Sequence, residues 1–220
     1  MVPALDLLPA LLPGLLVTLQ VTVGALLLAV AVAVPAGLLR ASGRRAARLP
    51  AAVYVETFRG TSALVQLFWA YFVLPFFGLR LDALAVGILV LGLNYGAYGA
   101  EVVRGAIEAV GSGQRAAAAA LGLTPTQTLL RIVLPQAVPV MLPPAGNLAV
   151  ELLKGTSLVS LITLEDLTFT AQTLRADTLR TPEVFGLVLV IYFLLASLLV
   201  QGVRYVEARH APWRVRERPA

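Results

Sequence analysis

The chain has 220 residues, of which 59% are hydrophobic and only 13% charged, and its mean hydropathy is +0.86. Soluble domains carry about 25% charged residues, so this composition excludes a soluble globular protein and indicates a membrane protein. Its 17 basic and 12 acidic residues leave a net charge of +5, and the absence of cysteine excludes disulfides and thiolate chemistry.

The uncharged runs 14–39, 60–79, 83–100, 132–150 and 184–203 approach the roughly 20 residues with which a helix crosses a bilayer. They predict an all-α membrane protein of one domain, 1–220, with five spans. These fall at about 14–39, 55–79, 83–106, 125–163 and 184–205, the fourth of them broken. Five buried core helices are the alternative, which fails because so short a chain has no amphipathic elements left to cover them. No basic segment precedes the first apolar stretch, so that span is expected to be retained rather than cleaved as a signal.

The first span carries Thr18 and Thr22 one turn apart, and likewise Gln20 and Gly24. Small and hydroxylated residues at that spacing pack helices together in lipid; lining a path is the sharper alternative. In the second span Glu56, Arg59, Ala63 and Gln66 follow a three- to four-residue rhythm that predicts one polar stripe. A charge at membrane depth costs about 2.5–3.5 kcal/mol, so such a stripe faces protein or a water-filled cavity. Glu56 and Arg59 read as a structural ion pair, and Gln66 as a path residue. The third span places Asn94, Tyr98 and Glu101 on one face, with glycines at 92, 96 and 99 permitting a tight crossing. Glu101, Arg104, Glu108 and Arg115 lead out of the bilayer and are expected to hold the next loop to the body.

That loop is the least membrane-like stretch between spans. Ser112 or Gly113 can cap a helix through the alanines 116–120, the residue type of highest helix propensity. Gly122 stands where a left-handed residue ends such a helix. Thr124-Pro-Thr-Gln127 then reads as a capping box with proline at the first helical position. An alanine-faced helix over about 113–122 lets another backbone approach. On spacing alone it fits a docking surface and an ordinary connector equally well.

The fourth span contains Pro135, Pro139, Pro143 and Pro144, which predict a bent or broken helix. At membrane depth a break is tolerated only where protein or a cavity satisfies the freed carbonyls. Beyond the prolines, Asn147, Glu151 and Lys154 fall at i, i+4 and i+7 on one face. The acid and base either neutralise each other or line a path that meets a zwitterion. Thr156, Ser157, Ser160 and Thr163 continue toward the outside. The stretch 165–183 has four acids against two arginines and predicts a partly helical segment outside the membrane. The last span is uniformly apolar and is assigned to lipid or a second subunit. The tail beyond it is basic and near an anionic surface, with His210 solvated.

Arg40, Arg44, Arg45 and Arg48 follow the first span; Arg104, Arg115 and Arg131 surround the loop after the third. Arg204, Arg209, Arg214, Arg216 and Arg218 follow the fifth, which places 12 of the 17 basic residues on one side. The positive-inside rule then puts the amino terminus outside and the alanine loop and carboxyl terminus in the cytoplasm. Aromatic residues scattered through apolar spans form no stacking platform, which excludes nucleic acid as a partner. The chain has no phosphate-loop pattern, no nucleophile with a base and no metal-ligand cluster. It is therefore not expected to be an enzyme, and any ATP belongs to another chain.

Ala117-Ala118, Leu121-Gly122-Leu123 and Ile132-Val-Leu-Pro-Gln136 resemble the EAA loop of permease subunits of ATP-driven (ABC) importers. Glu56-Thr-Phe-Arg-Gly-Thr61, Ala100-Glu-Val-Val-Arg-Gly-Ala-Ile107, Leu142-Pro-Pro144, Gly146-Asn147 and Leu152-Leu-Lys-Gly-Thr-Ser-Leu-Val-Ser160 narrow this to the polar amino-acid uptake family. The resemblance covers about residues 14–205. The glutamate that names the loop falls at Ala116 here, so any ion pair that it makes in relatives has no acid at this position.

The resemblance implies a type I ABC importer permease in a bacterial inner membrane, its five transmembrane helices joined by a cytoplasmic coupling helix between the third and fourth. It implies no cofactor on this chain, ATP being bound by ABC ATPase subunits. The other implied partners are a second permease, identical or homologous, an extracytoplasmic solute-binding protein and the lipid bilayer. Gln114, Arg115, Ala117, Ala118, Leu121, Gly122 and Leu123 are expected to meet the ATPase. Gln66, Asn94, Tyr98, Asn147, Glu151 and Lys154 are expected to line the substrate path. The family often has a polar or acidic residue after Gly146-Asn147, whereas Leu148 stands here, which shifts the pocket's polarity to Glu151. The alternatives are an ion-driven secondary transporter half working through Glu151 and Lys154, and a scaffold without transport.

Overall fold

A computed structural model describes residues 4–210. Arg214, Arg216 and Arg218 of the basic tail, and the side chain of His210, lie outside the described residues. Among those residues the chain is helical, without strands. Four helices are long and apolar enough to cross a membrane, or five if one bent pair counts as a span.

The core is the pairing of α1 (Leu8–Arg40) with α4 (Ala83–Ala109), which run parallel. In lipid the hydrophobic effect does not drive helices together, so their contact rests on close backbone approach. A Cβ on Gly92 would come within 2.7 Å of the Leu28 side chain. One on Gly37 would lie 2.5 Å from Val103 Cβ and 2.7 Å from the Ala100 carbonyl. The predicted packing role of the first span's hydroxyls holds. Thr18 and Thr22 are buried; Thr22 Oγ1 donates to the Thr18 carbonyl at 2.7 Å, and Thr18 Oγ1 accepts the Leu167 N–H at 3.0 Å. Gln20 faces outward.

The second span departs from expectation. It is α2 (Arg45–Arg59) and α3 (Ala63–Phe68), the latter prolonged to Phe77 through a π-helical turn, and the two meet at 98°. The polar rhythm across Gly60-Thr-Ser62 therefore does not make one stripe. Nor do Glu56 and Arg59 pair: Glu56 takes Arg40 at 3.2 Å, and Arg59 approaches Glu101 at 3.9 Å. Partners 16 and 42 residues away in the chain outcompete the neighbour one turn away.

The fourth span is not broken. From Pro125 to Ile162 it is one uninterrupted helical stretch of 38 residues, whose irregularity lies in its winding. A capping box opens α6 (Pro125–Thr128), a π-helical turn follows over Leu129–Val133, then α7 (Leu134–Gly155) and a 3-10 turn to Ile162. Pro135 lies in the first turn of α7, where proline is well tolerated. The Gln136 side chain donates to the Ile132 carbonyl at 2.8 Å, giving the wide turn a partner. α7 packs antiparallel to α4. α8 (Leu167–Thr178) lies across the far end of α1, and α9 (Thr181–His210) returns along α7, with Gly146 against Val203. The carboxyl ends of α1, α4 and α9 thus share one end of the bundle.

Candidate functional site

At that end α5 (Ser112–Ala120) stands off the body. Its cap is Gly111, one residue before the expected positions, and no side chain bonds to it. Its exit is the predicted one. Gly122 has φ +75°, its N–H donates to the Ala119 carbonyl at 3.0 Å, and Leu123 N–H donates to Ala118 at 3.1 Å. These are the two bonds of a Schellman motif, which turns the chain sharply into the Thr124 capping box.

The seven residues expected at an ATPase divide into two sets. Gln114, Ala117, Leu121 and Gly122 are exposed, Leu121 at 80%. Ala118 is 3% exposed, and Leu123 lines a cleft of about 450 Å³ with Leu38, Ile107 and Leu129, so both face the body. Arg115 reaches back, donating to the Ile107 carbonyl at 2.8 Å. α5 thus offers Ala117 and, just past its end, Leu121 to one side and is held to the body on the other.

Behind it Glu101 gathers three arginines. It accepts Arg40 Nε at 3.0 Å and Arg104 Nη2 at 2.7 Å, with Arg59 at 3.9 Å, so one carboxylate joins α1, α2 and α4. Arg104 also holds Glu108 at 2.6 Å.

The expected path residues are not one constellation. Gln66 and Asn94 meet, but at the bend. Gln66 Nε2 donates to the Phe58 carbonyl at 3.0 Å and to Thr61 Oγ1 at 2.6 Å. Asn94 Nδ2 donates to the same Phe58 carbonyl at 3.0 Å and to Gln66 Oε1 at 3.1 Å. These amides satisfy carbonyls freed where the helix breaks, as irregular backbone at membrane depth requires. Tyr98 is half-exposed beneath the Arg59 guanidinium, 5.2 Å from its ring centroid. Asn147, Glu151 and Lys154 form an exposed stripe on α7, and no ion pair joins Glu151 to Lys154. Tyr95 donates its hydroxyl to the Glu151 carbonyl at 3.0 Å, bringing the Tyr95–Tyr98 pair beside this stripe. Tyr95 and Arg59 are absent from the expected path. The i, i+3 spacing of the tyrosines is the available signal for the first, and the polar rhythm of the second span for the second, although that rhythm pairs Arg59 with Glu56 and the fold sets it over Tyr98.

At the opposite end Asp166 caps α8, its Oδ1 accepting the Phe169 N–H at 2.9 Å. Asp166 is buried, its backbone carbonyl lying against Gly14, and Oδ2 has no hydrogen-bond partner. Burial pushes its carboxyl up to about 6, against the pull of the N–H groups of the first turn. The fold therefore prefers the protonated form. Asp166 contributes most stability below the ordinary carboxylate value and loses it as pH rises through about 6. Asp166→Asn keeps the cap and removes this slope. Melting curves of both proteins from pH 4 to 7 should show the midpoint falling with pH more steeply in the wild type.

The family described as "Binding-protein-dependent transport system inner membrane component" matches residues 33–210. The chain belongs to that family, a permease class, and membership removes the support for the ion-driven and scaffold alternatives. It is 51% identical over 168 residues to a probable amino-acid ABC transporter permease protein, y4tF, of Sinorhizobium fredii, covering 74% of this chain and 71% of that one. To the glutamine transport system permease protein GlnP of Escherichia coli it is 36% identical, covering 82% and 83%. The crystal structure of an amino acid ABC transporter with histidines superposes with a TM-score of 0.86 at 33% identity, over 95% of this chain and 99% of that one. The methionine ABC transporter MetNI superposes at 0.80 with 20% identity, a likeness of fold.

Proposed function

We propose that the chain is the permease subunit of an ATP-driven importer of a polar amino acid or related zwitterion. The observation that carries this reading is α5, a short helix anchored inward by Arg115 and Ala118 and presenting Ala117 and Leu121 outward. In this reading the arginine-rich end is cytoplasmic, as the positive-inside rule requires, and the amino terminus is outside. ABC ATPase subunits hold the ATP, so this chain needs no cofactor, and their closure moves α5 and with it the fourth span. A solute-binding protein docks at the α8 end, and a second permease, identical or homologous, closes the exposed α7 face. This is coupling between two sites through a two-state element. Vesicles holding the assembled complex should take up labelled amino acid only with ATP on the α5 side. Uptake driven by an ion gradient without ATP would contradict the reading.

Within that path the α7 stripe meets the solute, Glu151 facing an ammonium and Lys154 a carboxylate. Glu151→Ala is expected to weaken uptake of cationic and neutral amino acids at least tenfold, measured as apparent affinity, while the assembled amount stays the same. Unchanged selectivity in an assembled variant would make the residue structural.

A further inference from the structure

A groove of about 680 Å³ runs between the first turns of α2 and the last turns of α4. Arg40, Arg45, Arg48 and Arg104 line it, with Leu49 and Glu108. The acids nearby are committed: Glu56 to Arg40, Glu101 to Arg40 and Arg104, and Glu108 to Arg104. Arg45 and Arg48 are exposed one turn apart on α2, and no carboxylate of the described residues lies within 4 Å of either. Like charges at that spacing repel unless an anion joins them.

Further along the same helix, toward the middle of the bundle, Leu49 and Val53 are 67% and 60% exposed. The surface therefore has a fixed order, with guanidinium forks at the end of the bundle and bare apolar side chains next to them. Guanidinium forks match phosphate oxygens in pairs, and apolar neighbours match an acyl chain. A small soluble anion would leave Leu49 and Val53 unused.

We propose that this groove is a headgroup site for an anionic phospholipid, its phosphate held by Arg45 and Arg48 and its chain lying along Leu49 and Val53. The bound phosphate joins Arg45 and Arg48 at the start of α2, facing the end of α4 that carries Arg104 and Glu108. The proposal needs only that this end of the bundle lies in a headgroup layer, whatever the solute or orientation.

Native mass spectrometry of the purified full chain, titrated with phosphatidylglycerol and in parallel with phosphatidylcholine, tests it. The wild type should retain phosphatidylglycerol preferentially. Arg45→Gln with Arg48→Gln should weaken that binding tenfold or more, since each basic residue near an anionic surface contributes about fivefold. Both side chains are exposed and without carboxylate partners, so the substitutions leave the fold intact. Arg45→Lys with Arg48→Lys should retain most of the binding, and Arg204→Gln with Arg209→Gln all of it. Equal retention of the two lipids, undiminished binding in the glutamine variant, or loss in the Arg204/Arg209 variant instead would overturn the proposal. Displacement of the lipid by millimolar glycerol 3-phosphate would reassign the groove to a free phosphate and overturn it as well.

Discussion

Replacing Gly122 with valine should abolish ATP-driven uptake, by more than tenfold, while the protein remains inserted at normal levels. The reason is local. Gly122 holds φ +75° at the end of α5, a conformation that costs a side-chain-bearing residue about 1–2 kcal/mol, and a β-branched one more. A Cβ there meets nothing within 4 Å, so the loss comes from backbone strain rather than a clash. Relieving the strain means giving up the Gly122–Ala119 and Leu123–Ala118 bonds, which frees α5 to swing against the fourth span. A swinging helix can still touch an ATPase but cannot push. Gly122→Asn, which tolerates the left-handed region, should recover most of the uptake, with alanine between the two. Normal uptake by the valine variant would remove the elbow from the mechanism.

Glu101→Ala should destabilise the bundle by more than the loss of any exposed ion pair. Its side chain is 16% exposed and serves Arg40, Arg104 and Arg59 on three helices. Removing one member of a fully buried network costs about 3–5 kcal/mol, because the remaining charges stay where they are. Here Arg104 and Arg59 are 32% and 40% exposed, Arg40 keeps Glu56 and Arg104 keeps Glu108, so a loss below that range is expected. The melting midpoint in detergent should fall by several degrees. Glu108→Ala removes a half-exposed partner and should change it little, as exposed pairs contribute about 0–1 kcal/mol. Equal midpoints for the two variants would show that the network does not brace these helices.

What the sequence made legible was short-range. The Gly122 stop and the Thr124 capping box depend on residues within one turn, and both stand as expected. The bend at 60–62 was hidden because polar residues keep a helical rhythm straight through it, while the amides that stabilise it come from Gln66 and Asn94. Those two residues look like path residues for the same reason that they brace the break: each is an uncharged donor within an apolar span. The prolines of the fourth span misled in the other direction. Pro135 sits in the first turn of α7, and the helical winding runs on without a gap through the π-helical turn before it. Inside α5 the alanines look alike in sequence, and only packing separates buried Ala118 from exposed Ala117.

The chain contains no cysteine, so a single one introduced at Leu121 reports without background. In membranes carrying the assembled transporter, Leu121→Cys should cross-link to the ATPase subunit and resist an impermeant thiol reagent added outside. Leu179→Cys, exposed at the opposite end, should react with that reagent and give no such cross-link. Labelling of Leu121→Cys from outside, or its failure to reach any nucleotide-hydrolysing subunit, would contradict the account.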